Sequence, residues 1–232
     1  MALEDIIKFD KYFWIARFFP ALIVLVPFFI FQYFYLNNLI FEQLSILESY
    51  SALFHSIVMI IIIYISSILV RGFGKDLIEK FYFIRNNKFP TTVMLLGKKK
   101  EVSNQQLTNI KSKIKNEFKL DINNKSSQKE KISRIKDAVE QIITKVGYTN
   151  KILNQYNTEY GFFRNLTGGT IIFILTDILL ISFSIVYKDS NILIISLSLL
   201  VGCLIYLVLS WHILDSYGTK YAKKLFNEYL QK

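Results

Sequence analysis

Four apolar runs, 13–36, 53–70, 168–187 and 192–214, bracket a long basic polar stretch, and their length is what most limits how this chain can fold. A helix that crosses a bilayer needs roughly 20 consecutive apolar residues, each rising about 1.5 Å, and all four runs reach or nearly reach that. With 52% hydrophobic residues among 232, too little polar surface remains to cover four such runs in water. The chain is therefore expected to be an integral membrane protein.

Orientation follows from the lysines and arginines. The stretch between the first two runs, 37–52, has no Lys or Arg, and the turn 188–191 has one. Most of the basic residues fall in 71–165, and Lys220, Lys223, Lys224 and Lys232 follow the last run. The positive-inside rule then puts 71–165 and both termini in the cytoplasm. The amino-terminal residues carry Glu4, Asp5 and Asp10, and the apolar run after them is too long for a signal-peptide core, so the first span is expected to persist.

The single cysteine, Cys203, lies inside the fourth run. An intramolecular disulfide is excluded, and with His55 and His212 at opposite ends of their runs no structural zinc site is expected.

The cytoplasmic stretch reads as helices. Leu107, Ile110, Ile114 and Phe118 make one stripe behind a capping box of Ser103 and Gln106, and Ile132, Ile135, Val139, Ile142 and Val146 make another behind Ser127 and Glu130. Gly147 stands where the second helix should stop. Residues 75–87 read as an extension of the second span, 149–160 as a helix leading into the third, and Thr91 or Thr92 as the cap of a short turn through Leu96. Nothing alternates in a way that demands a sheet.

Three blocks carry a resemblance: RFFPALIVLVPFF from Arg17, NNKFPTTVMLL from Asn86 and YGFFRNLTG from Tyr160. Together they resemble a family of uncharacterised bacterial four-span membrane proteins with the patterns R-x-x-P-A-L, P-T-T-x-L-L and Y-G-F-x-R-N-L-x-G. In layout the chain is also similar to membrane channel effectors of antiphage systems such as the Hailong type. That likeness implies an oligomer controlled by a nucleotide or short single-stranded nucleic acid, with a nucleotidyltransferase encoded nearby.

Asp177 lies near the middle of the third run. A carboxylate at the bilayer centre is unfavourable by about 2.5–3.5 kcal/mol on insertion scales, so it should face protein or water. Thr170, Asp177 and Ser184 recur every seven residues, as do Ser196, Cys203 and Ser210 in the fourth run. These six are the pore-lining candidates, since cyclic closure of an oligomer would turn one carboxylate into a ring that favours cations. The competing reading is close helix packing, with Asp177 hydrogen-bonded to a neighbouring span. Pro20 and Pro27 offer a kink in the first span.

A net charge of +10 is compatible with an anionic ligand, and Arg85, Lys111, Lys115, Arg134 and Arg164 are the candidates to bind it. Basic cytoplasmic loops and a lipid-facing role account for the same charge. Arg164 sits one turn before the third run, with Gly168 and Gly169 after it as a candidate hinge; a snorkelling interfacial anchor is the alternative. Catalytic motifs are missing: no P-loop, no G-x-G-x-x-G, no G-x-S-x-G, no H-E-x-x-H, and His212 with Asp215 lacks a nucleophile. A transporter would need internal repeats that the spans do not show.

The expected fold is all-α: spans 1 and 2 within 1–70, a basic helical cytoplasmic domain at 71–165, spans 3 and 4 within 166–214, and a cytoplasmic tail at 215–232. The expected function is an oligomeric, ligand-gated, channel-like effector in a bacterial inner membrane, without enzymatic activity or cofactor. A membrane-anchored scaffold that recruits a cytoplasmic partner is the rival.

Overall fold

The computed structural model describes residues 10–36, 51–84, 89–99, 101–122, 127–147 and 150–232, and among them every regular element is a helix. In chain order these are α1 (Lys11–Val24), α2 (Val26–Tyr35), α3 (Ser51–Gly72), α4 (Pro90–Leu95), α5 (Asn104–Phe118), α6 (Gln128–Val146), α7 (Lys151–Val186) and α8 (Ser190–Gln231). Past its end α3 runs on through π-helical turns, Phe73–Ile78 and Lys80–Ile84. The stretch 37–50 and Arg85 lie outside the described residues.

The stretch Ser56–Phe83, α7 and α8 are each long and apolar enough to cross a membrane, and α1 with α2, bent by 45°, makes a fourth when counted as one span. At about 1.5 Å per residue, α7 and α8, with 36 and 42 residues, far exceed a hydrocarbon core about 30 Å thick. Each helix is therefore long enough for a span with an extension beyond it.

By compactness the chain forms two units, Met1–Ile78 with Gly161–Trp211, and Glu79–Tyr160 with His212–Lys232. The first unit reverses the polarity of a water-soluble fold. Its outward side chains are large and apolar, among them Ile60, Ile68, Leu175, Ile185, Ile194, Val201, Ile205 and Val208, while Ser67, Asn165, Thr167, Asp177, Ser196 and Ser210 are buried. Apolar surface on this scale is unfavourable against water and neutral against acyl chains.

The bend between α1 and α2 falls at Leu25, whose ψ of 0° leaves the helical region. Pro27 explains it: the ring has no N–H to donate and crowds the carbonyl four residues earlier, at Ile23. Gly168 and Gly169, expected as a hinge, lie inside the unbroken α7. Their role is close approach. A Cβ at Gly168 would meet the backbone of Phe73 and Gly74, and one at Gly169 would come within 2.7 Å of Val24 and 2.9 Å of Val70.

The second unit packs around Met94, Leu95, Ile110, Ile114, Ile135, Ile142, Leu225, Phe226 and Tyr229. The stripe of α6 is buried throughout, and that of α5 is fully buried at Ile110 and Ile114 with Leu107 and Phe118 at its margin. Ser103 and Gln106 form the expected capping box, Ser127 accepts the Glu130 N–H, and Gly147 closes α6 at φ 66°. The short helix α4 is opened by Phe89 and Pro90; Thr91 and Thr92 lie buried inside it. Proline suits this first position because its missing N–H would have no helical partner there. Residues 215–232 are the end of α8, and Ala222, Leu225, Phe226 and Tyr229 complete the core of this unit.

Truncating a filled core position leaves a cavity, so Ile142→Ala should destabilise the full-length protein by about 2–5 kcal/mol. Thermal unfolding in detergent should show the fall, while Gln105→Ala on the exposed face of α5 should leave the midpoint nearly unchanged.

Candidate functional site

Asp177 and Ser196 form the polar centre of the first unit. Both are fully buried. Ser196 Oγ donates to Asp177 Oδ1 at 2.6 Å and lies 3.4 Å from the Asp177 carbonyl. The other carboxylate oxygen, Oδ2, is buried without a hydrogen-bond partner. A buried acceptor left unpaired is unfavourable, so this atom is the natural landing point for a proton or a cation.

The remaining pore-lining candidates share this buried setting. Thr170, Ser184, Cys203 and Ser210 are 0–8% exposed within the single chain. Thr170 Oγ1 donates to the Thr167 carbonyl, Ser184 Oγ to Ile181 and Ser210 Oγ to Leu207. Each of these hydroxyls is thus bonded on its own helix, whereas Ser196 and Asp177 join α8 to α7.

A second polar cluster surrounds Arg164, also in the first unit. Arg164 Nε donates to Asn165 Oδ1 at 3.1 Å and its Nη2 to Tyr12 Oη at 3.4 Å. Asn165 Nδ2 donates to the Ala16 carbonyl, which fixes α7 to α1. Arg17 lies over the Tyr12 ring at 5.5 Å, and its Nε is buried without a partner. Arg71 stands in the last turn of α3 on an exposed position. Of these three arginines, Arg164 alone is among the ligand candidates read from the sequence, and Arg17 enters that reading only as the first residue of the R-x-x-P-A-L block.

The other candidate ligand residues are in the second unit. Lys115 pairs with the Asp121 carboxylate at 2.8 Å, and Arg134 Nη1 donates to the Asp121 carbonyl at 3.3 Å. Both therefore brace the connection from α5 to α6. Lys111 has a different setting: burial, and after it the neighbouring Lys131 ammonium, holds its ammonium below the usual lysine range. An anion placed there would relieve that repulsion. Within the lysine run 98–100, Lys99 is bound to Asp215 at 2.7 Å and to Thr219. Asp215, three residues beyond His212 on α8, is thus held by a lysine. Groups of His, Cys, Asp and Glu able to hold a metal ion do not occur among the described residues.

A network in the same unit ties α8 to α5 and α6. Glu117 accepts from Lys145 at 2.7 Å and from Tyr229 Oη at 2.9 Å, with Lys113 at 3.9 Å. Lys145 chiefly holds the Glu117 carboxyl below the ordinary glutamate range, and burial together with Glu117 pushes the Tyr229 phenol up. Lys232 Nζ donates to the carbonyls of Lys145 and Val146, neutralising the carboxyl end of α6.

Two outcomes are expected. Ser196→Ala leaves both Asp177 oxygens unpaired and should destabilise the protein by about 1–2 kcal/mol; adding Asp177→Leu should recover much of the loss in thermal unfolding, because the buried acceptor is then gone. The depressed Glu117 carboxyl contributes stability above the unfolded glutamate value of about 4.3, and this is lost as pH falls through and below it. Stability followed from pH 6 down to about pH 2 should therefore fall more steeply in wild type than in Glu117→Gln, with the difference opening below about pH 4.3. Comparison with protein-family models, curated proteins and solved structures finds no match to this chain.

Proposed function

We propose that this chain is a four-span protein of a bacterial inner membrane, with both termini and the helical domain in the cytoplasm, and that it works as a homo-oligomeric channel-like effector. The observation that carries the reading is the Asp177 carboxylate, which is wholly buried in an apolar helix with one oxygen held by Ser196 and the other unpaired. Such a group is unfavourable in a purely structural role and well suited to a conduction path. In the resting state the path is shut by the bond between Asp177 and Ser196. Conduction requires α7 and α8 to part, so that the carboxylates of several copies face water and favour cations.

The regulator in this proposal is an anionic nucleotide or short single-stranded nucleic acid. Lys111 beside Lys131 supports that part of the reading, since a phosphate would relieve the charge repulsion between them. Antiphage defence is the proposed setting, with a nucleotidyltransferase encoded nearby as the source of the signal. A second reading, a membrane-anchored scaffold that recruits a cytoplasmic partner, is favoured by one observation: Thr170, Ser184 and Ser210 satisfy their hydroxyls on their own helices and are buried in one chain.

Membrane potential in expressing cells separates the two. During phage infection, when the proposed signal is made, wild type should depolarise cells measured with a voltage-sensitive dye, and Asp177→Asn at equal membrane abundance should leave them at the level of cells lacking the protein. Equal potential in wild-type, Asp177→Asn and empty cells supports the scaffold.

A further inference from the structure

A hydroxyl has one hydrogen, and Ser196 stands against two acceptors of the same residue. Its Oγ lies 2.6 Å from Asp177 Oδ1 and 3.4 Å from the Asp177 carbonyl. With Asp177 ionised, the Ser196 hydrogen serves Oδ1, the carbonyl contact has no hydrogen of its own, and Oδ2 carries its share of a full charge without a partner. With a proton on Oδ1 the pattern closes: the Asp177 O–H donates to Ser196 Oγ, and the Ser196 O–H donates to the Asp177 carbonyl. The 2.6 Å separation suits donation in either sense. Oδ2 then becomes the carbonyl oxygen of a neutral acid, and leaving that unpaired is far less unfavourable than leaving an ionic oxygen so.

The surroundings favour the neutral form. Asp177 and Ser196 are both fully buried, and no lysine, arginine or histidine among the described residues makes an ion pair with Asp177. Along α7 the nearest charged side chains are Arg164, thirteen residues before it, and Lys188, eleven residues after it, so about 16 Å of helix or more intervenes. On α8 the titratable group of the same stripe is the Cys203 thiol, seven residues beyond Ser196. From α2 comes the Tyr35 phenol, which shares a buried cluster with Leu180 and Ile192. Where α1 and α3 meet α7, at Ile172 and Phe173, they present Ala21, Val24 and Val70, none of which titrates. A thiol and a phenol supply no positive charge, so nothing here offsets the loss of water around a carboxylate.

We propose that Asp177 and Ser196 form a proton-binding site: with α7 and α8 packed together, Asp177 is a neutral carboxylic acid whose O–H is held by Ser196 Oγ. The site holds equally for a scaffold; its consequence for gating rests on the channel reading. There, water admitted between the helices takes the proton, the O–H bond breaks with its electron pair left on Oδ1, and the carboxylate so formed favours cations. The closed seam therefore offers an ion no charge, and ionisation accompanies opening.

The test is infrared spectroscopy of the full-length protein in neutral detergent at pH 7, wild type against Asp177→Asn. A protonated carboxyl has a C=O stretch above the amide band, and the expected result is such a band in wild type that is lost in Asp177→Asn. Should that variant fail to fold, Ser196→Ala takes its place: the carboxyl O–H loses its acceptor, and the band should move to higher frequency. The proposal is overturned if wild type shows no carboxyl band, if the band persists in Asp177→Asn, or if Ser196→Ala leaves it unmoved. The band and the membrane potential fail separately. A band in a protein that never depolarises cells upholds the proton site and removes the channel, whereas depolarisation without a band overturns the proton site and leaves the channel standing.

Discussion

In a hydrocarbon surrounding, a polar group that finds no partner inside the protein has none at all, and the first unit is organised around that constraint. Its outer face carries chiefly Ile, Leu and Val, with the exposed hydroxyls of Ser182 and Ser198 bonded back to their own helices, while Ser67, Asn165, Thr167, Ser196 and the central carboxylate of Asp177 are buried. Asn165 binds the Ala16 carbonyl, and Thr167 and Tyr206 share a hydrogen bond while both reach the Phe163 carbonyl. Each of these bonds is satisfied within the fold. Asp177 Oδ2 departs from the pattern, and departures of this kind concentrate where a protein does something besides fold.

Much of this is legible in the sequence, for identifiable reasons. Span length depends on composition alone, so the three long apolar helices and the bent pair can be read from the order of the residues. Stripes such as Ile132, Ile135, Val139, Ile142 and Val146 are equally readable, because helical period fixes which residues share a face, and the caps at Ser103 and Gly147 are local chemistry. Partners are harder to read. The sevenfold spacing puts Asp177 on a polar stripe, yet nothing in α7 alone says that Ser196 rather than water or another copy meets it. Residues 215–232 read as a tail because their lysines draw attention, while Ala222, Leu225, Phe226 and Tyr229 recur at helical spacing and fill a core.

The glycines and arginines show the same limit. Gly168 and Gly169 suggest flexibility when read alone, and the backbone of Gly74 with the side chains of Val24 and Val70 shows instead that they make room for neighbours. Arg17 is hidden inside an apolar run, where a single charge looks like an interruption. Tyr12 lies beside it on the same helix, and Arg164 reaches Tyr12 only once α1 and α7 have packed. Contacts between distant segments leave no period in either segment.

Cys203 gives direct access to the central claim, since it is the one cysteine of the chain and lies buried in the fourth apolar run, seven residues beyond Ser196, which holds Asp177. The measurement is modification of Cys203 by a charged, water-borne thiol reagent in membranes of cells whose potential is recorded at the same time. If α7 and α8 part to admit water, Cys203 should react in depolarised cells and stay unmodified in cells that hold their potential. Reaction at one rate in both, or a protected thiol in cells that this protein has depolarised, would contradict a conduction path through the Asp177 seam.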